Sequence, residues 1–306
     1  MSSASHSRTG GRSRRRRFSV GRGTAWAYLA GVIVVTVFPF YWMLRTALSN
    51  NYALDRNPSS PWPVQITLGA FQRVLGLATS KQALAQGGSG ASINFGRALL
   101  NSVIYASGTT VAIVSFSVLA AYAFARLHWK GRDLVFGLFL SALMLPGIMT
   151  LLPNFVLIKN LGLLNSLGGM ILPSALFSAF DIFFLRQFML GLSSEIEEAA
   201  FIDGAGSLRI LFRITLPMTS GPLTTLSILG FITSWNDYFW PLLVNSSSNA
   251  EPLTVALAVF KQSSPQDQTD WAGLMAATLL AALPMLALFM IFGKRIVDSI
   301  GFTGLK

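Results

Sequence analysis

Residues 193–217, SSEIEEAAFIDGAGSLRILFRITLP, interrupt a chain otherwise built of apolar runs. The stretch holds Glu195, Glu197, Glu198, Asp203, Arg209 and Arg213, six of the 35 formally charged side chains. Ser194 with Glu197 three residues on reads as a capping box, and the glutamates fall in the first turn, where a helix N-terminus favours negative charge. Gly204 and Gly206 then suit a turn. A second short helix starts at Ser207, with Arg209 and Arg213 four apart on one face. Pro217 disfavours helix at Leu216 and marks the expected end. The expectation is two short helices joined by a glycine turn, polar on one side and too short to cross a bilayer.

Composition agrees with a membrane setting. Of 306 residues 52% are hydrophobic and 11% charged, against about 25% charged in soluble domains. Mean hydropathy is +0.56. Without cysteine there is no disulfide framework and no thiolate metal site. His6 and His128 lie far apart in basic segments, a poor arrangement for metal binding or catalysis.

The net charge of +11 is concentrated at the start. Arg8, Arg12, Arg14 to Arg17 and Arg22 lie in a Ser/Gly/Arg-rich tail, residues 1–24, which reads as disordered and drawn to anionic lipid. RNA binding is the alternative for the tail alone; for the chain as a whole no nucleic-acid partner is expected. Residues 25–48 follow as an apolar run too long for a cleaved signal peptide. Arg45 near its end is placed to snorkel to the interface. Residues 49–97 form a long polar loop with a Gly-rich patch around 79–92 and, at TLGAFQRVL, a short amphipathic helix expected on the membrane surface. Further apolar runs cover about 98–125, 134–158, 169–190, 219–244 and 271–293. Each has about the 20 residues needed to cross a hydrocarbon core. The fold expected is therefore all-α and integral to the membrane, with six spans and a cytoplasmic tail at 294–306. Pro39, Pro146, Pro153, Pro173 and Pro284 in or beside spans read as packed kinks, or as hinges.

With the tail inside, sixteen of the 23 Lys and Arg residues fall on the cytoplasmic side. The positive-inside rule then places both termini and residues 193–217 in the cytoplasm.

Glu198-Ala199-Ala200, Gly204, Ile214 and Leu216-Pro217 stand at the spacing of the EAA loop, so the stretch resembles that of binding-protein-dependent ABC importer permeases. An ordinary cytosolic helix–turn–helix loop is the plainer alternative. GLLNSLGGMILP (162–173), SWNDYFWPLL (234–243) and the ending DSIGFTGLK (298–306) extend the resemblance to the MalG-type permeases of the carbohydrate branch, over residues 25–306. The resemblance implies an ATPase coupling surface at Glu198, Ala199, Ala200, Ile202, Asp203, Gly204, Leu208, Arg209, Ile214, Leu216 and Pro217. It implies a homologous second permease, an ABC ATPase dimer carrying ATP and Mg, an extracytoplasmic solute-binding protein, and a multi-pass place in a bacterial plasma membrane. No GxxxxGK[ST] run occurs, so any ATP hydrolysis belongs to another chain and this one needs no cofactor.

Polar residues inside spans are the candidates for a solute path. Asp181 sits in the middle of the fourth run, where an unpaired charge costs about 2.5–3.5 kcal/mol, so it is expected to face the bundle or water. A structural pair is its alternative role. Trp235, Asn236, Asp237 and Tyr238 combine aromatic faces with polar groups, as sugar binding requires; an interfacial aromatic belt is the alternative. The solute expected is a sugar. Glycerol-phosphate esters or another polar solute, a self-contained secondary transporter, and a structural membrane-assembly protein are the other readings.

Overall fold

The computed structural model describes residues 20–88, 93–176, 178–263 and 269–301. Most of the basic tail, part of the Gly-rich patch and residues 302–306 lie outside the described residues, so the expectations placed there stand without a structural account.

The centre of the fold is α5 (Phe95–Arg126), a 32-residue helix. Its buried face runs through Ala98, Ser102, Tyr105, Thr109, Ser117, Ala121 and Ala125, mostly small residues at helical spacing. Small side chains let neighbouring backbones approach closely, which is how helices pack where no water drives them together. Against α5 lie α8 (Leu167–Ala175), α9 (Ala179–Leu190) and α13 (Ser220–Trp235). The burial of α5 lapses between Thr110 and Ser117, midway along the helix.

A second layer pairs α1 (Val20–Ala47) with α16 (Trp271–Gly301). Most of α1 is exposed, with Trp26, Val35 and Phe38 all more than half accessible. That surface is what a helix facing lipid or another membrane subunit presents. α6 (Arg132–Ser141) and α7 (Gly147–Asn160) complete the apolar elements together with α14 (Phe239–Val244) and α15 (Leu253–Ser263).

Among the described residues three helices are long and apolar enough to cross a membrane: Gly23–Ala47, Phe95–Arg126 and Trp271–Gly293. The third and fourth runs are not straight spans. α6 and α7 meet at 102°, and α8 and α9 at 48°; counting each bent pair as one crossing gives five. The fifth run breaks as well, because α13 has 16 residues and ends before Asn236. By length and composition the described residues thus give three to five candidate spans, and the expected count of six is not confirmed. Proline explains the sharpest bend: Pro146 has φ −61° and ψ 130°, extended backbone that stops one helix and opens the next. Pro39, Pro153, Pro173 and Pro284 lie inside helices that continue through them.

The described part of the segment after α1, residues 48–88, is folded. It holds α2 (Asn51–Arg56), α3 (Gly69–Val74) and α4 (Ser80–Ala85). The Asn51 side chain donates to the carbonyls of Gly87 (2.9 Å) and Thr269 (3.1 Å) and accepts from the Ala272 amide. Arg73 meets Asp270 through two parallel bonds of 3.0 and 2.8 Å. The amphipathic helix expected on the membrane surface is α3, but its apolar face packs on α16, with Ala70 and Val74 buried. Arg45 is corrected too. It is buried, donates to the Asn57 carbonyl and lies over the Trp42 ring, because the following loop folds back over it.

Asn165 and Gly169 explain part of the 162–173 stretch. Asn165 adopts φ +60° and its side chain accepts from the Ser246 amide at 2.7 Å, joining the α7–α8 turn to the end of α14. Gly169 is packed so tightly that a Cβ would lie 2.2 Å from the Leu163 carbonyl oxygen. Gly169→Ala is therefore expected to destabilise the protein by about 1–3 kcal/mol, as overpacking does. A thermal unfolding curve in detergent checks this; an unchanged midpoint would contradict the packing argument.

Candidate functional sites: a two-helix elbow and an acidic cleft

The stretch 193–217 folds as α10 (Glu195–Ile202) followed by α11 (Ser207–Ile210), a π-helical turn over Leu211–Thr215, and α12 (Leu216–Met218). The turn between α10 and α11 is a Schellman motif. The Ala205 amide donates to the Ala200 carbonyl (2.9 Å), and the Gly204 amide to that of Phe201 (3.0 Å). Gly204 has φ +82°, a conformation that a β-branched residue resists. Nothing lies near its Cβ position, so the constraint is in the backbone alone. Gly204→Val is expected to cost about 1–3 kcal/mol of local strain, unwind the turn and abolish solute uptake while the protein still inserts. Membrane-fraction immunoblots beside uptake assays check it; normal uptake would refute the role of the turn.

Two local expectations are corrected. Ser194 makes no side-chain cap, and the Glu195 amide is met by Ser193 Oγ at 3.3 Å instead. Glu197 is drawn away from a capping box by stronger partners. Its carboxylate accepts from Arg126 Nε (3.1 Å) and from the Thr215 hydroxyl (3.0 Å), and it is nearly buried. Pro217 does not end the helix either. The π turn just before it already bonds five residues apart, so the i−4 bond that proline cannot make falls where the ladder has shifted.

Arg126, at the last turn of α5, also donates to the Leu192 carbonyl at 3.0 Å. The elbow is thus tied on one side to α5, and Thr215 locks α10 to the π turn that leads into α12 and α13. Its other side is free. Ile202 is 88% exposed, and Phe201 and Leu208 are more than half exposed, with Glu198, Ala199, Asp203, Arg209 and Pro217 accessible beside them. Ala200, Ile214 and Leu216 are half-buried. The exposed side of the elbow is thus an apolar patch ringed by charge.

The second site is a cleft of about 630 Å³ where the burial of α5 lapses. Tyr105, Thr109 and Ile113 line it from one face of α5, Ser178, Phe180 and Asp181 from the α8–α9 break, and Thr233, Ser234 and Asp237 from the end of α13. Asp181 occupies the first turn of α9, capped by Ser178 Oγ, which accepts from the Asp181 amide. A broken helix puts a positive dipole end beside the carboxylate, which offsets the cost of its burial. Asp237 accepts from the Tyr105 hydroxyl at 2.7 Å, and the Asp237 carbonyl accepts from Thr254 Oγ1.

The structure separates the candidate path residues. Asp181 and Asp237, 56 positions apart in sequence, share the cleft. Trp235 is buried in the core and stacked on Phe231 (5.7 Å between centroids). Asn236 donates to the Ile232 carbonyl of its own helix, and Tyr238 packs edge-on against Phe239. The hydroxyls of Tyr105, Thr109 and Thr233 escaped the sequence reading, although Ser and Thr inside apolar runs were the available signal. Among the described residues no group of three or more His, Cys, Asp or Glu side chains is placed to hold a metal ion.

Residues 113–301, which include the elbow, α9 and α13, match the binding-protein-dependent transport system inner membrane component family. The chain belongs to that family. The protein is therefore a non-enzymatic membrane component of an ABC transport system, and its family implies a solute-binding protein and ATPases as partners. It is similar to the probable ABC transporter permease protein YurM of Bacillus subtilis, with 30% identity across 95% of this chain and 91% of that one. The diacetylchitobiose uptake system permease protein NgcG of Streptomyces coelicolor is 33% identical over 68% of each chain. The sn-glycerol-3-phosphate transport system permease protein UgpE of Yersinia pestis is 36% identical over 68% of this chain and 75% of its own. Among solved structures, a chain of a bacterial ABC transporter that imports the acidic polysaccharide alginate superposes with a TM-score of 0.75 at 22% identity, covering 89% of this permease and 95% of that chain. That likeness shows the shared fold.

Proposed function

We propose that this permease carries a sugar, an oligosaccharide or a related glycan, across the bacterial plasma membrane in an ATP-driven importer. It pairs with a homologous second permease, whose surface completes the path at the cleft. Two ATPase subunits, holding ATP and Mg, dock from the cytoplasm on the exposed side of the elbow. A solute-binding protein delivers the sugar from outside, and both termini lie in the cytoplasm.

The observation that carries this reading is the elbow itself. Its EAA residues sit on a turn locked by Gly204, with Ile202, Phe201 and Leu208 offered outward and Glu197 clamped inward. A short rigid lever, anchored at one side and open at the other, can pass a movement from a docked partner into α5 and α13. The cleft lies between the upper parts of those same two helices.

Glycerol-phosphate esters are the second reading, favoured by the 36% identity to UgpE. Purifying the tagged permease from its native cells in mild detergent tests the assembly. Recovery of an ATPase, a second permease and a binding protein supports it; recovery of the chain alone, in detergent that preserves known complexes, counts against it. Uptake of labelled sugars and of glycerol 3-phosphate, in cells with and without the gene, decides between the two solutes.

A further inference from the structure

The cleft between α5, α9 and α13 has a one-sided chemistry. Its charged lining groups are Asp181 and Asp237, and among the described residues no Lys, Arg or His lines it. Two cations on the helices that line it are directed elsewhere: Arg97 donates to the Asn249 carbonyl and Arg186 to the Phe124 carbonyl. A second feature points to a ligand. Thr109 is 2% exposed, lines the cleft, and its hydroxyl has no hydrogen-bond partner. A buried hydroxyl left unpaired is costly in an otherwise well-bonded interior, and a ligand hydroxyl would satisfy it.

Resting on the importer reading above, we propose that this cleft is a subsite on the solute path that accepts uncharged or amino sugars and rejects phosphate esters and uronates. Carboxylates accept hydrogen bonds from sugar hydroxyls and pair with a protonated amine, while Tyr105, Thr109, Ser178 and Thr233 offer hydroxyls to both. An anionic solute would face like charges at close range in a poorly screened setting, with no cation to compensate. Selection here works by repulsion as much as by attraction.

The test uses the complete transporter purified in detergent, with its second permease and ATPases but without the binding protein, so that the binding protein's own preference does not enter. Saturation-transfer NMR compares four probes: cellobiose (neutral), the glucosamine disaccharide chitobiose (cationic), digalacturonate and glycerol 3-phosphate (both anionic). Cellobiose and chitobiose are expected to bind, and both anions at least about tenfold more weakly, as close like charges dictate. Asp181→Asn should lower the preference for chitobiose over digalacturonate several-fold, with Asp237→Asn as the second variant should the first misfold. Thr109→Val should weaken both sugars and leave that ratio unchanged. Anions binding as well as cellobiose, a ratio indifferent to both Asp variants, or a complex that binds none of the probes would each overturn the proposal. Any of these from a complex that hydrolyses ATP, and that imports solute in intact cells with its binding protein, would leave the importer reading in place; loss of the ATPase partner itself would remove both.

Discussion

Glu197→Ala is expected to destabilise the protein by about 3 kcal/mol and to abolish ATP-driven uptake. The side chains of Arg126 and Glu197 retain only 13% and 11% of their accessibility, so removing the carboxylate strands a nearly buried guanidinium with one carbonyl partner, that of Leu192. The residual exposure places the cost at the lower end of the range for buried pairs. The functional loss should exceed the stability loss, because the same carboxylate holds Thr215 and so locks α10 to the π turn of the elbow as well as to α5. Glu197→Gln should do less harm, since an amide oxygen still accepts from both donors. The exchanged pair Arg126→Glu with Glu197→Arg should recover part of the stability. Thermal unfolding and uptake measured across the four proteins check this. Equal stability and transport in wild type and Glu197→Ala would show that the ion pair carries no load.

Asp270→Ala is expected to be at least as damaging to stability, on the opposite side of the molecule. Asp270 and Arg73 are almost fully buried, at 2% and 7% side-chain exposure, and their contact is bidentate. Asp270 Oδ1 also accepts from the Gly273 amide at 2.7 Å, which caps α16. Alanine removes the pair and the cap together, about 3–5 kcal/mol for the stranded charge and about 1 kcal/mol for the cap. Asp270→Asn keeps the cap and should lie between alanine and wild type. Because Arg73 also holds Gln86, the loop carrying α2, α3 and α4 should loosen from α16. Limited trypsin digestion is the direct reading: cleavage after Lys81 should accelerate in Asp270→Ala. Unchanged digestion and unchanged thermal stability would contradict the anchoring role.

The elements that sequence displayed are those decided locally. The runs at 25–48, 98–125 and 271–293 became α1, α5 and α16 because length and apolarity suffice to specify a spanning helix. The turn at Gly204 was legible because a positive φ selects for glycine. The break at Pro146 showed as a kink-forming proline. Those between α8 and α9 and at 236–238 were not legible, since hydropathy runs straight across them. Their backbone and side-chain groups are satisfied by contacts that periodicity does not encode, such as Ser178 capping α9 and Tyr105 donating to Asp237 from 132 positions away. The same holds for Glu197. Its local spacing to Ser194 suggested a cap, while a guanidinium 71 positions earlier offers a charged donor that outcompetes a backbone amide. Asp181 was visible as an oddity, but the helix N-terminus that stabilises it appears only once the span is broken.

The docking of an ATPase on the elbow is the claim on which the account depends, and the absence of cysteine from the chain makes it directly accessible. Ile202→Cys places a single thiol at the most exposed apolar position of the elbow, 88% accessible. A reagent that is thiol-reactive at one end and photoactivatable at the other, applied to inverted membrane vesicles carrying the complete transporter, should then join this permease to its ATPase subunit, and the yield should change when ATP is added. A control cysteine at Leu138, on the exposed face of α6, should give no such product. Cross-linking from Leu138 alone, or none to an ATPase from Ile202 in vesicles that transport solute, would contradict the account.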